Sequence, residues 1–286
     1  MPDTLIDVQQ LRAHLDAPDW AIIDCRFELP RPEWGAAAYA AGHIPGALYA
    51  HLEHDLSGPR RAGTGRHPLP EVARFAATCS RFGIDAQVQV IAYDQGSGAY
   101  AARLWWLLRW VGHRRVAVLD GGLAAWQRAG LPLSEAPATR AARQFVPNPQ
   151  PQHLSTTADI EAALESGALT RGETLLIDAR SAERFAGQNE TIDPVAGHVP
   201  GARNHPFTAN HDAAGHFLPA AELRRRLQHT LGDVAATQAI VMCGSGVTAC
   251  HNLLALEAAG LPGARLYAGS WSEWITAPAR PVARGP

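Results

Sequence analysis

No lysine occurs among the 286 residues, so all 25 basic side chains are arginines. This absence removes Schiff-base chemistry on a lysine amine and the lysine of a Walker phosphate loop. Cysteine is scarce: Cys25, Cys79, Cys243 and Cys250 form no CxxC or zinc-type spacing. So few in a long chain do not make a disulfide scaffold, and neither a metal nor another cofactor is expected. The formal net charge is −2 at pH 7, which leaves no basic field to attract nucleic acid or an anionic membrane. No apolar run reaches the length of a membrane span, and the opening residues MPDTLID hold no apolar stretch of the kind a secretory signal carries. A soluble, reducing, cytoplasmic setting is therefore expected. What remains is globular: 47% hydrophobic and 18% charged residues, enough for one large or two ordinary domains.

One module is written twice. Ile22–Arg26 (IIDCR) matches Leu176–Arg180 (LIDAR), and Ala41–Ala47 (AGHIPGA) matches Ala196–Ala202 (AGHVPGA). Ile91–Asp94 matches Ile240–Cys243, and Asp120–Trp126 matches Ala268–Trp274, at offsets between 148 and 155 residues. A period this long means duplicated domains rather than a solenoid. Each copy reads as an opening helix (8–15; 157–164), a short apolar strand ending in Asp-x-Arg, and a second helix (70–82; 220–231). A central strand ending at Asp94 or Cys243 follows, then a long helix (99–111; 248–259), a further strand (116–119; 264–267) and a short Trp-containing helix. Alternating strands and helices predict an α/β fold: two tandem domains, each a mostly parallel sheet with helices on both faces, and chemistry at the C-terminal strand ends. The expected divisions are 1–132, a proline-rich linker over 133–154 holding Pro137, Pro147, Pro149 and Pro151, and 155–286.

Cys243 is the candidate nucleophile. It ends an apolar strand and precedes Gly244, Ser245, Gly246, Val247 and Thr248, after which a helix-compatible stretch begins. A thiolate in front of a helix N-terminus is stabilised by unpaired N–H groups and the helix dipole. The first copy has Asp94 at the matching place. A carboxylate cannot do thiol chemistry, so only the second copy is a sulfur site, and the first is expected to lend side chains to it. Features that both copies share, including His43, His198 and the Asp-x-Arg pairs, read as structural.

The two tandem modules, Asp-x-Arg, His-x-Pro-Gly-Ala, the Cys loop and Gly269–Trp274 (GSWSEW) resemble the two-domain rhodanese sulfurtransferases. The loop CGSGVT resembles that of the 3-mercaptopyruvate branch. The resemblance implies that Cys243 takes sulfur from a small-molecule donor as a persulfide, releases pyruvate, and passes the sulfur to thioredoxin, glutathione, another thiol or cyanide. It implies that the amides of Gly244, Gly246, Val247 and Thr248 surround the persulfide. Ser245, His67 and Glu53 would form a proton relay, and Arg184 would bind the donor carboxylate. A monomer is expected, since duplication already supplies two domains.

The chain departs from the family in one place. A second arginine is usual after Arg184, but 188–197 (QNETIDPVAG) has none; Arg66, beside His67, is the candidate replacement. Thiosulfate:cyanide transfer is the alternative activity, although thiosulfate is a dianion and the loop is uncharged. A non-enzymatic persulfide carrier is another alternative. A third is a dinucleotide-binding protein, suggested by Gly96-Ser97-Gly98-Ala99-Tyr100-Ala101 after a strand. A cysteine phosphatase is excluded, because its loop needs a closing arginine where this chain has Ala249.

Overall fold

The computed structural model describes residues 4–285, so the first three residues of the acidic N-terminal stretch lie outside the described residues. Among the described residues, ten strands form two five-stranded sheets. The first contains β1 (Leu5–Ile6), β2 (Trp20–Asp24), β3 (Leu48–Tyr49), β4 (Gln89–Tyr93) and β5 (Val116–Leu119) in the order β1-β5-β4-β2-β3. The second repeats that order as β6-β10-β9-β7-β8, from β6 (Leu154–Ser155), β7 (Leu175–Asp178), β8 (Arg203–Asn204), β9 (Ala239–Met242) and β10 (Arg265–Tyr267). Every strand pairing within the two sheets is parallel. The α/β fold expected from the alternating pattern is therefore present in both copies.

The local chemistry explains the elements. β4 and β9 are buried along their whole length, as strands covered on both faces must be, and both read as near-continuous apolar runs. Asp7 and Thr156 open the first helix of each copy with capping boxes that close on Gln10 and Asp159. Helix Ala220–Leu231 buries Leu223, Leu227 and Leu231, one side chain per turn along one face, and packs against the helix Thr248–Ala258. The expected helix over 8–15 stops at Arg12, and the His14 ring beyond it stacks on Trp20 at 3.9 Å. The two-residue strands and the four-residue helix Ala182–Phe185 are too short to leave a periodic signal.

The chain divides into two compact units. One contains the residues through Gly58, Leu69–Gln150 and His211–Phe217; the other contains Pro59–Pro68, Pro151–Asn210 and Leu218 onward. Each unit has its own core, around Ile22, Ile91, Tyr93 and Trp126 in the first and Leu176, Ile240, Trp271 and Trp274 in the second. The matched tryptophans make matched bonds: Trp126 Nε1 donates to Pro132 O at 2.9 Å and Trp274 Nε1 to Pro281 O at 3.0 Å. The stretch after Pro132 lies against the first unit. Ser134 pairs with His43, Arg143 bonds Asp85, and Phe145 is buried.

In the first unit the loop after β4 is closed by its own carboxylate. Asp94 is 1% exposed. Its Oδ1 accepts from Gly96 and Gly98 N–H at 2.9 and 3.0 Å, and its Oδ2 from Tyr100 and Ala101 N–H at 2.8 and 3.3 Å. Those are the amides of the Gly-x-Gly-x-x-Ala element, so a dinucleotide phosphate would find them taken. Asp94→Ala leaves these donors without their acceptor. A loss of about 2–4 kcal/mol is expected from the usual penalty for unsatisfied buried groups, read as a lowered denaturant midpoint. An unchanged midpoint would mean that water replaces the carboxylate at no cost.

Candidate active site

The second unit builds the matching loop around sulfur. Cys243 follows β9 directly and is 2% exposed. Its Sγ accepts the N–H of Gly246 at 3.1 Å and of Ser245 at 3.5 Å. Gly246 sits at φ +73°, and a Cβ there would lie 2.3 Å from the Ala268 carbonyl oxygen, so both conformation and space require glycine. Val247 and Thr248 open the helix Thr248–Ala258 that backs the loop, which aims the positive end of its dipole at the turn. Cys250, on that helix, donates its thiol to Gly246 O at 3.3 Å. All four cysteines are free and buried. Burial pushes the Cys79 thiol well up, and burial together with Asp24 does the same for Cys25, which keeps both protonated and inert.

Segment Pro59–Pro68, though it comes from the first sequence copy, packs within the second unit. Gly65 is pressed against Gly269, where a Cβ would lie 2.6 Å from the carbonyl oxygen. Arg66 N–H then bonds Ser272 Oγ at 2.9 Å. The next residue, His67, is 3% exposed, and its Nδ1 lies 2.8 Å from Ser245 Oγ. The sequence expectation placed this pair together, and the structure does so. Glu53 belongs to the first unit, on the loop after β3, where it is exposed and its N–H bonds His51 Nδ1 at 3.1 Å.

Two guanidinium groups converge on the cysteine loop. A Cβ on Gly244 would lie 3.2 Å from Arg66 Nη2 and 3.7 Å from Arg184 Nη1. Segment 188–197 supplies carboxylates to both. Asp193 Oδ1 accepts from Arg66 Nη1 at 2.8 Å and Asp193 Oδ2 from Arg184 Nη2 at 2.9 Å. Arg184 Nε donates to both oxygens of Glu190, at 3.0 and 2.9 Å. Burial alone would raise the Glu190 carboxyl; the Arg184 guanidinium and the N–H groups of Ile192 and Asp193 outweigh it and hold it below the usual carboxylate range.

The motifs shared by both copies are braces. Arg180 grips Asp178 with Nε and Nη2, donates to Gly197 O at 2.7 Å and stacks over Trp271. Arg26 does the same between Asp24 and Gly42 O. His43 and His198 each place Nδ1 2.8 Å from a carbonyl oxygen, of Tyr39 and Phe185, and stack on that residue's ring. Sequence reasoning missed Glu190, Asp193 and Ser270. Ser270 holds φ +54°, accepts the Cys243 N–H at 3.0 Å and donates to Tyr267 O at 2.9 Å. The signal was available, because the first copy has Gly122 at that position.

Among the described residues, one group of metal-ligating side chains lies close together: Glu33, His51 and His54 in the first unit. The Glu53 N–H on His51 Nδ1 puts the proton of the neutral ring on Nε2, the atom that faces Glu33. That nitrogen then has no lone pair for a metal.

A sulfur-bearing loop at the C-terminal edge of a duplicated parallel sheet defines a thiol-transfer class of protein, and the comparisons agree. The rhodanese-like domain model matches residues 7–129 and 156–277, and the chain belongs to that family of sulfurtransferases. It is 50% identical to the Pseudomonas aeruginosa protein named "Probable 3-mercaptopyruvate sulfurtransferase", over 98% of both chains. It is 33% identical to the Arabidopsis thaliana thiosulfate/3-mercaptopyruvate sulfurtransferase 1, mitochondrial, over 98% of this chain and 78% of that one. The crystal structure of the Escherichia coli 3-mercaptopyruvate sulfotransferase SseA superposes with a TM-score of 0.81 at 34% identity, covering 95% of this chain and all of that one. No helix among the described residues is long and apolar enough to cross a membrane.

A carboxyl whose folded pKa is depressed stabilises the fold above its unfolded value, and that contribution disappears as pH falls through the folded value. Glu190→Gln should therefore cost about 1–3 kcal/mol at pH 7, the scale for removing one partner of a largely buried pair. The gap from wild type should narrow below the ordinary glutamate pKa of about 4.3. Chemical denaturation between pH 3 and 7 reads both; a gap independent of pH would contradict the ion pair.

Proposed function

We propose that the protein transfers sulfane sulfur from 3-mercaptopyruvate to a thiol or cyanide acceptor through a persulfide on Cys243. The observation that carries this reading is the convergence of Arg66 and Arg184 on Gly244, next to the sulfur. Guanidinium N–H groups at that spot suit a donor whose carboxylate lies a few bonds from its sulfur.

The Cys243 thiolate attacks the donor sulfur. The S–S bond forms as the C–S bond breaks, and the electron pair leaves on carbon as the enolate of pyruvate. Ser245, bonded to His67, supplies the proton that completes pyruvate. Glu53 is the third member of the relay, a role that rests on the family resemblance alone. The N–H groups of Ser245 and Gly246 already point at the sulfur, and Val247 and Thr248 extend the same cradle for the charge of the persulfide. An acceptor thiolate or cyanide then attacks the outer sulfur and releases the Cys243 thiolate, which gives ping-pong kinetics. Free cysteines throughout support a reducing, cytoplasmic setting, in which thioredoxin or glutathione is at hand. A monomer suffices for this chemistry.

Thiosulfate is the competing donor, and the Arabidopsis relative carries both donors in its name. Comparing kcat/KM for the two donors decides between them, with mercaptopyruvate expected to lead. A protein that loads sulfur once and shows no saturable release of pyruvate is a carrier, not this enzyme. Cys243→Ser should abolish transfer from either donor; surviving activity would point to another thiol. Arg184→Ala should lower kcat/KM for mercaptopyruvate at least tenfold, about 1.4 kcal/mol. Unchanged kinetics would remove Arg184 from the site.

A further inference from the structure

We propose that Asp193 sets the donor preference of this site, by holding Arg66 and Arg184 as one two-armed clamp and cancelling part of its charge. The proposal rests on the mercaptopyruvate reading and deepens it.

One carboxylate joins the two arms. Each Asp193 oxygen takes one guanidinium, at 2.8 Å to Arg66 and 2.9 Å to Arg184, and the Asp193 side chain is only 3% exposed. The two arms come from segments far apart in sequence, so nothing covalent fixes their spacing; Asp193 does. Glu190, also 3% exposed, neutralises the second positive charge through Arg184 Nε. Arg180 Nη1 also lies 3.6 Å from Glu190, and its own charge is met by Asp178, so three arginines and three carboxylates leave the group with no formal net charge.

The clamp still has unfilled donors. Arg66 Nε is buried without a hydrogen-bond partner, and Arg66 Nη2 and Arg184 Nη1 face Gly244. A carboxylate monoanion can fill these sites by hydrogen bonds, which need no excess positive charge. A dianion brings a second charge into a group that has none left to meet it. Asp193 therefore favours a donor such as mercaptopyruvate over thiosulfate by charge, and orients it by fixing both arms.

The test is Asp193→Asn, which keeps the size of the side chain and removes its charge. The group then carries one net positive charge, and a dianion gains twice what a monoanion gains. The ratio of kcat/KM for thiosulfate over mercaptopyruvate should rise at least fivefold. The loss on mercaptopyruvate should fall on KM, with kcat within about threefold of wild type, since the reacting groups are untouched. Asp193→Glu, which restores the charge, should bring the ratio back toward wild type. Should Asp193→Asn fail to fold, Glu190→Gln removes another negative charge of the group without removing a guanidinium donor, and must move the ratio the same way. Equal losses on both donors, or an unchanged ratio, would make Asp193 a scaffold residue and overturn the proposal. Wild-type protein that releases no pyruvate from mercaptopyruvate would instead sink the parent reading before any variant is compared.

Discussion

Backbone N–H groups turned inward at a strand-to-helix turn need an acceptor, and the organisation of both copies follows from how each one supplies it. In the first unit Asp94 gives two oxygens to four amides, and the loop is finished. In the second, Cys243 gives one sulfur to two amides at 3.1 and 3.5 Å. Sulfur is a weak acceptor as a thiol and a much stronger one as a thiolate. The same backbone thus accommodates either a carboxylate or a sulfur. The first copy is in effect a control for the second: it shows that this turn directs its amides inward whether or not a thiol is there to receive them.

A second constraint follows from placing arginines near that loop. Guanidinium groups at the edge of a core are held only with partners, and here the partners are Glu190 and Asp193. Fixed, paired cations lose little freedom when an anion arrives, and preorganisation of this kind is what lets a modest number of contacts bind selectively. Such pairing has a cost, because each carboxylate competes with the donor for the same positive field. A neutral clamp is thus a choice for shape over charge, and it agrees with a loop that carries no charged residue between Cys243 and Thr248.

The repeat made most of the fold legible. Matched motifs in matched order predicted two parallel sheets, and helix Ala220–Leu231 and strand Val116–Leu119 fall on the expected residues. The outer strands β1, β3, β6 and β8 were not legible, because two residues carry no alternation. Cys243, Ser245, His67 and Arg184 were named from sequence and lie together. Glu190 and Asp193 leave no signal in the sequence, because acidic residues in a loop are ordinarily solvated and only the fold brings the arginines to them. The stretch 188–197 lacks an arginine but holds the two carboxylates that pair with Arg66 and Arg184. The membership of Pro59–Pro68 in the second unit is a long-range packing outcome that no local pattern encodes, yet it is what places Arg66.

Ser270 shows how far comparison between copies can reach. Gly122 and Ser270 hold nearly the same left-handed conformation, φ +53° and +54°. In both copies the next N–H caps the key residue's carbonyl: Leu123 N–H to Asp94 O at 2.9 Å and Trp271 N–H to Cys243 O at 3.0 Å. Glycine adopts that conformation freely, whereas a residue with a Cβ bears about 1–2 kcal/mol. The fold tolerates glycine there, so the serine is not a requirement of the turn. Its hydroxyl offsets the strain by accepting the Cys243 N–H while donating to Tyr267 O, which fixes the backbone from which the sulfur projects. The strain is borne in the copy with the cysteine and absent from the copy with the aspartate, where glycine is also needed for room, since a Cβ on Gly122 would lie 2.6 Å from Asp94 O.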